Sequence, residues 1–492
     1  EYCHAMGNGP GDLEDYFKLF ASSDLLCGGF VWEWCDHAIY KGQADNGKAM
    51  YYYGGDHGEY LHDGNFCMDG LVYPDRRPHT GLLEYKNVHR PARVVAFSQA
   101  TGQITLQNEL DFTILGEYLS VQYQIICDGQ IISNGRISEL PAILPHQTGI
   151  LSIPIHIPSK GRCFLKLCYL TAYASAIVPA GYFLGFDEIP LVNADPRYQL
   201  SVAVPAYPEP LTVSESSRYL TVSGNSFTYT LDRSTGLWSS LLLQRREFLT
   251  QPMELNIWRA PTDNDRNIKA TWYRAQLNRA YARAYAITCE EAADHVRIVC
   301  EMGIVAASVQ RIASVQLSWT VFETGIIMAD LHVVQNPDFP SLPRFGFRMF
   351  LPKEMQRVSY FGMGPMESYV DKHRAASHAL YECSVSALHE DYLRPQENGS
   401  HWDCSFVEIS NGANALTVSA DKPFSFNASQ YTQEELTEKT HNFELMPCDG
   451  TVLCIDYAQA GIGSNSCGPA LLSQYQVPKQ PFDFSVTFTP HA

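Results

Sequence analysis

The sequence has 492 residues, too many for one hydrophobic core, so roughly two to four domains are expected. Hydrophobic residues make up 45% and charged residues 18%, the balance of an ordinary globular protein. A net charge of −18 with no Lys/Arg run argues against nucleic acid as a partner. No stretch approaches the ~20 apolar residues of a membrane span, so no membrane partner is expected either.

The N-terminus has no charged segment followed by an apolar run, so no signal peptide is visible. The chain opens on Glu1 rather than Met, which suggests an upstream part. Fourteen cysteines are scattered from Cys3 to Cys467, with no CxxC pair and no His at zinc-ligand spacing from two of them. They read as mostly buried, reduced thiols of a cytoplasmic protein. The sequons at Asn398 and Asn427 then read as chance. Aromatic residues reach 12%, which suits a β-rich core and also sugar-stacking platforms; composition alone favours the core.

In chain order, Leu13, Tyr16, Phe17 and Phe20 form a helical stripe within 12–23, with Asp12 placed to cap it. Gly28-Gly29 leads into Phe30-Val31-Trp32, a short apolar run that reads as a strand buried on both faces. Helix then strand is the last unit or two of an α/β layer, because about 90 residues cannot build a (β/α)8 barrel of about 250. From 92 onward the period changes to two. Leu119, Val121, Tyr123 and Ile125 alternate with polar residues, Asp128-Gly129 is a hairpin turn pair, and Ile131 to Ile137 returns. Leu165, Leu167 and Tyr169 repeat the pattern, as in an immunoglobulin-like sandwich. Val204 to Pro210 reads as a Pro-rich linker. The remainder is strand-like, with alternation at Phe227, Tyr229 and Leu231 and again at Phe482, Phe484, Val486 and Phe488. One helical interval is expected at about 267–286. The fold class is therefore mainly β. Residues 1–91 are the C-terminal end of a TIM barrel, 92–203 an immunoglobulin-like sandwich, and 204–492 a large terminal β-sandwich.

The first 90 residues concentrate the chemistry. Glu1 and His4 lie three apart. Trp32 and Trp34 share one strand face with Glu33 opposite, and Asp69 sits in the compact loop 65–70. By themselves these signals are weak: a terminal Glu is by default solvated, His4 structural, and the two Trp core. Taken in order, the runs Glu1-Tyr-Cys-His-Ala-Met-Gly-Asn8, Gly28-Gly-Phe-Val-Trp-Glu-Trp34, Tyr53-Gly-Gly-Asp56 and Phe66-Cys-Met-Asp-Gly-Leu-Val72 resemble the lactase-type β-galactosidases of glycoside hydrolase family 2. Arg259-Ala-Pro-Thr-Asp-Asn-Asp265, Gly362–Tyr369, Pro395–Gly399 and Gly461–Pro469 extend the resemblance across the chain.

The resemblance implies a retaining β-galactosidase acting through a covalent galactosyl-enzyme, of which this chain is a C-terminal part beginning at the nucleophile, Glu1. His4 matches a galactose-contacting histidine and Trp32 the aromatic wall against the sugar. Trp34 has no such match and is left as core. Phe66 and Asp69 match a site for Na+ (or K+), formed by the Phe carbonyl and an Asn or Asp side chain; the best-known bacterial pattern has Asn at position 69. Cys467 falls where some relatives place a Trp that stacks on glucose. The loop 259–267 is adjacent to the family's active site, and Asn267 stands where some relatives have Gly. No residue matches the acid/base, and the main Mg2+ ligands lie upstream. The chain alone is then expected to be inactive. The partners are a β-galactoside substrate and, in the full-length protein, further copies in a homo-oligomer. A complementing subunit of a split enzyme and a carbohydrate-binding sandwich are the alternatives. Glu367 and Glu397 are read as structural, and the Gly461-Ile-Gly463 run as a turn rather than a dinucleotide fingerprint.

Overall fold

The structure is a computed structural model and describes residues 1–137, 139–198 and 210–491. It is mainly β. At the N-terminus, β1 (Cys3–His4) lies parallel to β2 (Val31–Trp32), with His4 opposite Trp32. Between them runs α1 (Leu13–Ala21), giving one β-α-β unit. Its Leu13, Tyr16 and Phe17 pack with Cys3, Val31 and Val88, as the stripe requires. A third parallel position follows at the Cys35–Val72 bridge, and α2 (Thr80–Val88) closes the layer.

Three expectations about this layer need correction. Asp12 occupies the N-cap position but makes no capping bond; its carboxyl turns toward Asp371 instead. The run 30–32 is not buried on both faces: Phe30 is 83% and Trp32 50% exposed, because among the described residues β1 alone pairs with it and the helices pack on Val31. Trp34 is not core either, at 61% exposed; nothing among the described residues covers its ring.

Residues 92–191 form a sandwich. A three-stranded sheet (92–98, 103–108, 148–152) faces a four-stranded one (183–191, 163–171, 119–127, 130–137). The inward residues of the alternating pattern, Ile104, Leu106, Val121, Ile125, Leu165, Leu167 and Tyr169, form its core. Asp128 and Gly129 both have positive φ, 47° and 81°, which the tight hairpin demands.

Residues 212–247 form a five-stranded antiparallel sheet. It packs against a sheet that has twelve strands among the described residues and runs from 251 to 491. One continuous core joins them, with Trp238 and Trp319 fully buried at its centre. The helix expected over 267–286 is only Lys269–Arg274, followed by a 3-10 turn at Leu277–Arg279. Gln276 takes positive φ and ends it, and 281–291 is an edge strand paired with 295–305. The linker at 204–210 lies outside the described residues except for Pro210.

Loops of the terminal sandwich grip the barrel layer. Gly11 donates its N–H to the Gly463 carbonyl at 2.9 Å. The Asn8 amide side chain donates to the Glu397 carbonyl at 2.8 Å and its backbone N–H to Gln396 Oε1 at 3.0 Å. Tyr16 and Ser464 pair through their hydroxyls at 3.1 Å. Residues more than 350 positions apart in sequence are thus held together at one end of the barrel strands.

Candidate active site

The site is built around His4. The backbone of β1 fixes it, since Ala5 donates its N–H to the Trp32 carbonyl at 2.7 Å, and the imidazole is 3% exposed. Its Nδ1 meets Glu1 Oε1 at 3.0 Å, and its Nε2 faces Asp69 Oδ2 at 3.6 Å. One imidazole therefore stands between two carboxylates. Glu1 is the exposed member, its side chain 40% accessible, and Asp69 the buried one. Burial pushes the Asp69 carboxyl up to about 6, opposed by His4 and reinforced by Glu33 and Asp36. Asp69 Oδ1 and His4 Nε2 are buried without a hydrogen-bond partner.

Phe66 stacks at a tilt on His4 with ring centroids 5.0 Å apart. It sits in the 3-10 turn Gly64–Cys67, where its N–H donates to the Asp63 carbonyl. The Arg266 guanidinium also lies over the ring, 5.4 Å from the centroid. Neighbouring Asn65 donates to Asp263 Oδ1 at 2.9 Å, and Arg394 donates to Asn65 Oδ1 at 2.5 Å. Arg266, Arg394 and Asn65 were not singled out from the sequence, although Arg266 lies within the loop 259–267 that was. That loop is held from behind by the buried Arg259–Asp265 pair at 2.7 Å.

Cys467 arrives from the far end of the chain. The loop carrying it is pinned where Ser466 donates its N–H to Asn264 Oδ1 at 3.0 Å and Asn267 donates to Asn465 Oδ1 at 3.0 Å. Ligand atoms of Glu1, His4 and Cys467 all lie within 4.8 Å of one another. Trp32, the β2 partner of His4, is half exposed. The structure thus gathers Glu1, His4, Phe66, Asp69 and Cys467 into one place and sets Trp32 beside it. Glu367 and Glu397 lie elsewhere as buried structural anions, Glu397 on Arg344 at 2.6 Å and Glu367 on Lys372 at 3.1 Å.

Residues 223–488, more than half of the chain, match the family model "Beta galactosidase small chain". The chain belongs to this family. Further family models match upstream: residues 1–94 the "Glycosyl hydrolases family 2, TIM barrel domain" and 104–192 "Beta-galactosidase, domain 4". Among curated relatives, a β-galactosidase of Actinobacillus pleuropneumoniae is 43% identical over 98% of this chain and 46% of its own length. A β-galactosidase of Staphylococcus xylosus is 38% identical over 99% of this chain and 48% of its own. One of Kluyveromyces lactis is 29% identical over 98% and 46%. The chain spans about half the length of the curated relatives it matches. The chain is mainly β, with a TIM-barrel portion followed by sandwiches. Among the described residues no helix is long and apolar enough to cross a membrane.

Proposed function

We propose that this chain carries the nucleophile and the galactose-recognising side of a retaining β-galactosidase, acting on terminal non-reducing β-D-galactose residues such as that of lactose. The observation that carries the reading is the arrangement around His4. An accessible carboxylate, a fixed imidazole, an open indole and a buried carboxylate behind them stand together where the barrel layer meets the sandwich loops. Glu1 attacks the anomeric carbon as the bond to the aglycone oxygen breaks and the acid/base protonates that oxygen; water, deprotonated by the same acid/base, later cleaves the galactosyl ester and frees Glu1. His4 donates to a sugar hydroxyl, a bond that strengthens as positive charge develops on the ring. Trp32 presents its π-face to the C–H face of the sugar.

A retaining enzyme needs a second carboxyl about 5–5.5 Å from the first. Asp69 does not fit that role, because the His4 ring stands between it and Glu1. The acid/base, with the Mg2+ site, is supplied in this proposal from outside these 492 residues. Asp69 fits a hard monovalent cation instead: its buried Oδ1 has no partner, and a nearby positive charge offsets the burial that raises its pKa. Na+ (or K+) would be held there with the Phe66 carbonyl and would supply a positive contact for a sugar hydroxyl. A cytoplasmic enzyme that self-associates completes the proposal.

The test is hydrolysis of nitrophenyl β-galactoside. Without an acid/base, catalysis loses about 10²–10⁴-fold or more. The chain alone should give no measurable turnover. Mixed with the preceding part of the Actinobacillus pleuropneumoniae relative, it should gain activity. Near-normal turnover by the chain alone would overturn the reading.

A further inference from the structure

We propose that Glu1, His4 and Cys467 form a chelating site for a thiophilic divalent cation of the zinc type, distinct from the hard-cation position at Asp69. The Glu1 carboxylate, the His4 imidazole and the Cys467 thiol converge within 4.8 Å. Ligands of a tetrahedral zinc, bonded at about 2.0–2.3 Å, lie roughly 3.3–3.7 Å apart. Glu1 Oε1 and His4 Nδ1 are already at 3.0 Å. Closing on a metal therefore asks only for a small movement of two exposed, rotatable side chains, Glu1 and Cys467.

Two further features favour the site. His4 is rigid, and a carboxylate, Asp69, faces its other ring nitrogen. At 3.6 Å the two do not hydrogen-bond, and a modest approach of Asp69 on metal binding would complete the carboxylate–histidine–metal arrangement that orients a ligating imidazole. Cys467 is set in a loop already pinned by Asn264. The mixed O, N and S donor set selects zinc, cobalt or copper over magnesium or sodium. Cys467 loses its proton to solvent on binding, so affinity rises with pH. The fourth position is left to water. A cation bound there takes the Glu1 carboxylate out of reach of a sugar, so it acts as an inhibitor competitive with galactoside; that consequence alone rests on the proposed function.

Titration of the 492-residue chain with Co2+ tests the site without any turnover. Thiolate-to-cobalt charge-transfer absorption should develop to one equivalent and be displaced by Zn2+. Cys467→Ser should abolish that absorption and weaken Zn2+ by more than the ~10-fold typical of losing even an outer-sphere partner. Cys27→Ser, which removes another exposed thiol, should change neither. The proposal is overturned if Co2+ gives no charge-transfer band, if the band survives Cys467→Ser, or if Zn2+ binds both chains equally. Such a failure leaves the role of Glu1 in hydrolysis untouched, and failure of that role leaves the metal titration untouched.

Discussion

At the scale of single residues, the energetics concentrate in a few buried ions. Arg344 is fully buried between Asp456, at 2.5 Å, and Glu397, at 2.6 Å. Burial alone would lower its pKa, but the two carboxylates hold it well above the ordinary value. Arg344→Met would strand two buried carboxylates and should cost about 3–5 kcal/mol in denaturant-induced unfolding. Glu397 also accepts the N–H of Ala260, so the same variant should disturb the start of the loop 259–267. At the site, Asp69→Leu should abolish any activation of the complemented enzyme by Na+, whereas Asp69→Asn should retain it, because an amide oxygen still ligates a hard cation. Titrating activity against Na+ in a K+-free buffer distinguishes the two. Glu1, His4, Phe66 and Asp69 were legible through the resemblance, carried by motifs that fall within 70 residues of one another. Cys467 was legible only through the resemblance, since no spacing rule links positions 4 and 467. Arg266 over Phe66 was not legible at all, as a cation–π contact leaves no pattern in sequence.

At the scale of elements, the start of α1 holds an unusual pairing. Asp12 faces Asp371, whose oxygens accept the N–H groups of Ile462 and Gly463 at 2.9 and 2.6 Å. Burial and the Asp371 charge raise Asp12 from its usual range to about 7. The unfolded carboxyl loses its proton near pH 4, while the folded one keeps it to about pH 7. Stability therefore falls as pH rises through that window and is flat above it. Asp12→Asn keeps a residue that tolerates the observed φ of 59° and removes the charge conflict. It should raise the thermal midpoint more at pH 8 than at pH 4.5, read by calorimetry; an equal or lower midpoint at pH 8 would contradict the pairing. An alternating or helical period reported the elements well where one face was buried, as at 119–127 and 482–491. It failed at 281–291, where an edge strand exposes residues on both faces and the pattern blurs. It also missed why Asp12 does not cap α1, because its partner lies some 360 residues away.

At the scale of the whole molecule, three parts meet at a cavity of about 440 Å3 lined by residues of α2, the immunoglobulin-like sandwich and the terminal sandwich. His378 bridges two of them, with Nδ1 on Glu188 at 2.6 Å and Nε2 on Asp403 at 2.8 Å, stacked on Phe164. Burial lowers its pKa, but the two carboxylates outweigh this and the net shift is upward. A raised histidine contributes stability that is complete below the unfolded value near 6.5 and is lost as pH rises through the folded value. Domain-domain contact in the native chain should therefore weaken above neutral pH, seen as a lower thermal midpoint at pH 9 than at pH 6. In His378→Gln that difference should shrink. The change of hydrophobic period made the barrel layer legible against the sandwiches, and the Pro-rich stretch 204–210 suggested the division between the two sandwiches. The grip of loops 259–267, 394–399 and 461–467 on the barrel layer was not legible, because contacts between distant loops have no period.

The account rests on Glu1 as the nucleophile. With the complemented enzyme, an activated 2-deoxy-2-fluoro-galactoside should trap the galactosyl-enzyme, and mass spectrometry of the digested protein should locate the sugar. The account predicts the label on Glu1 and its loss in Glu1→Gln. A label on Asp69 or on any other carboxylate, or turnover that persists in Glu1→Gln, would contradict it.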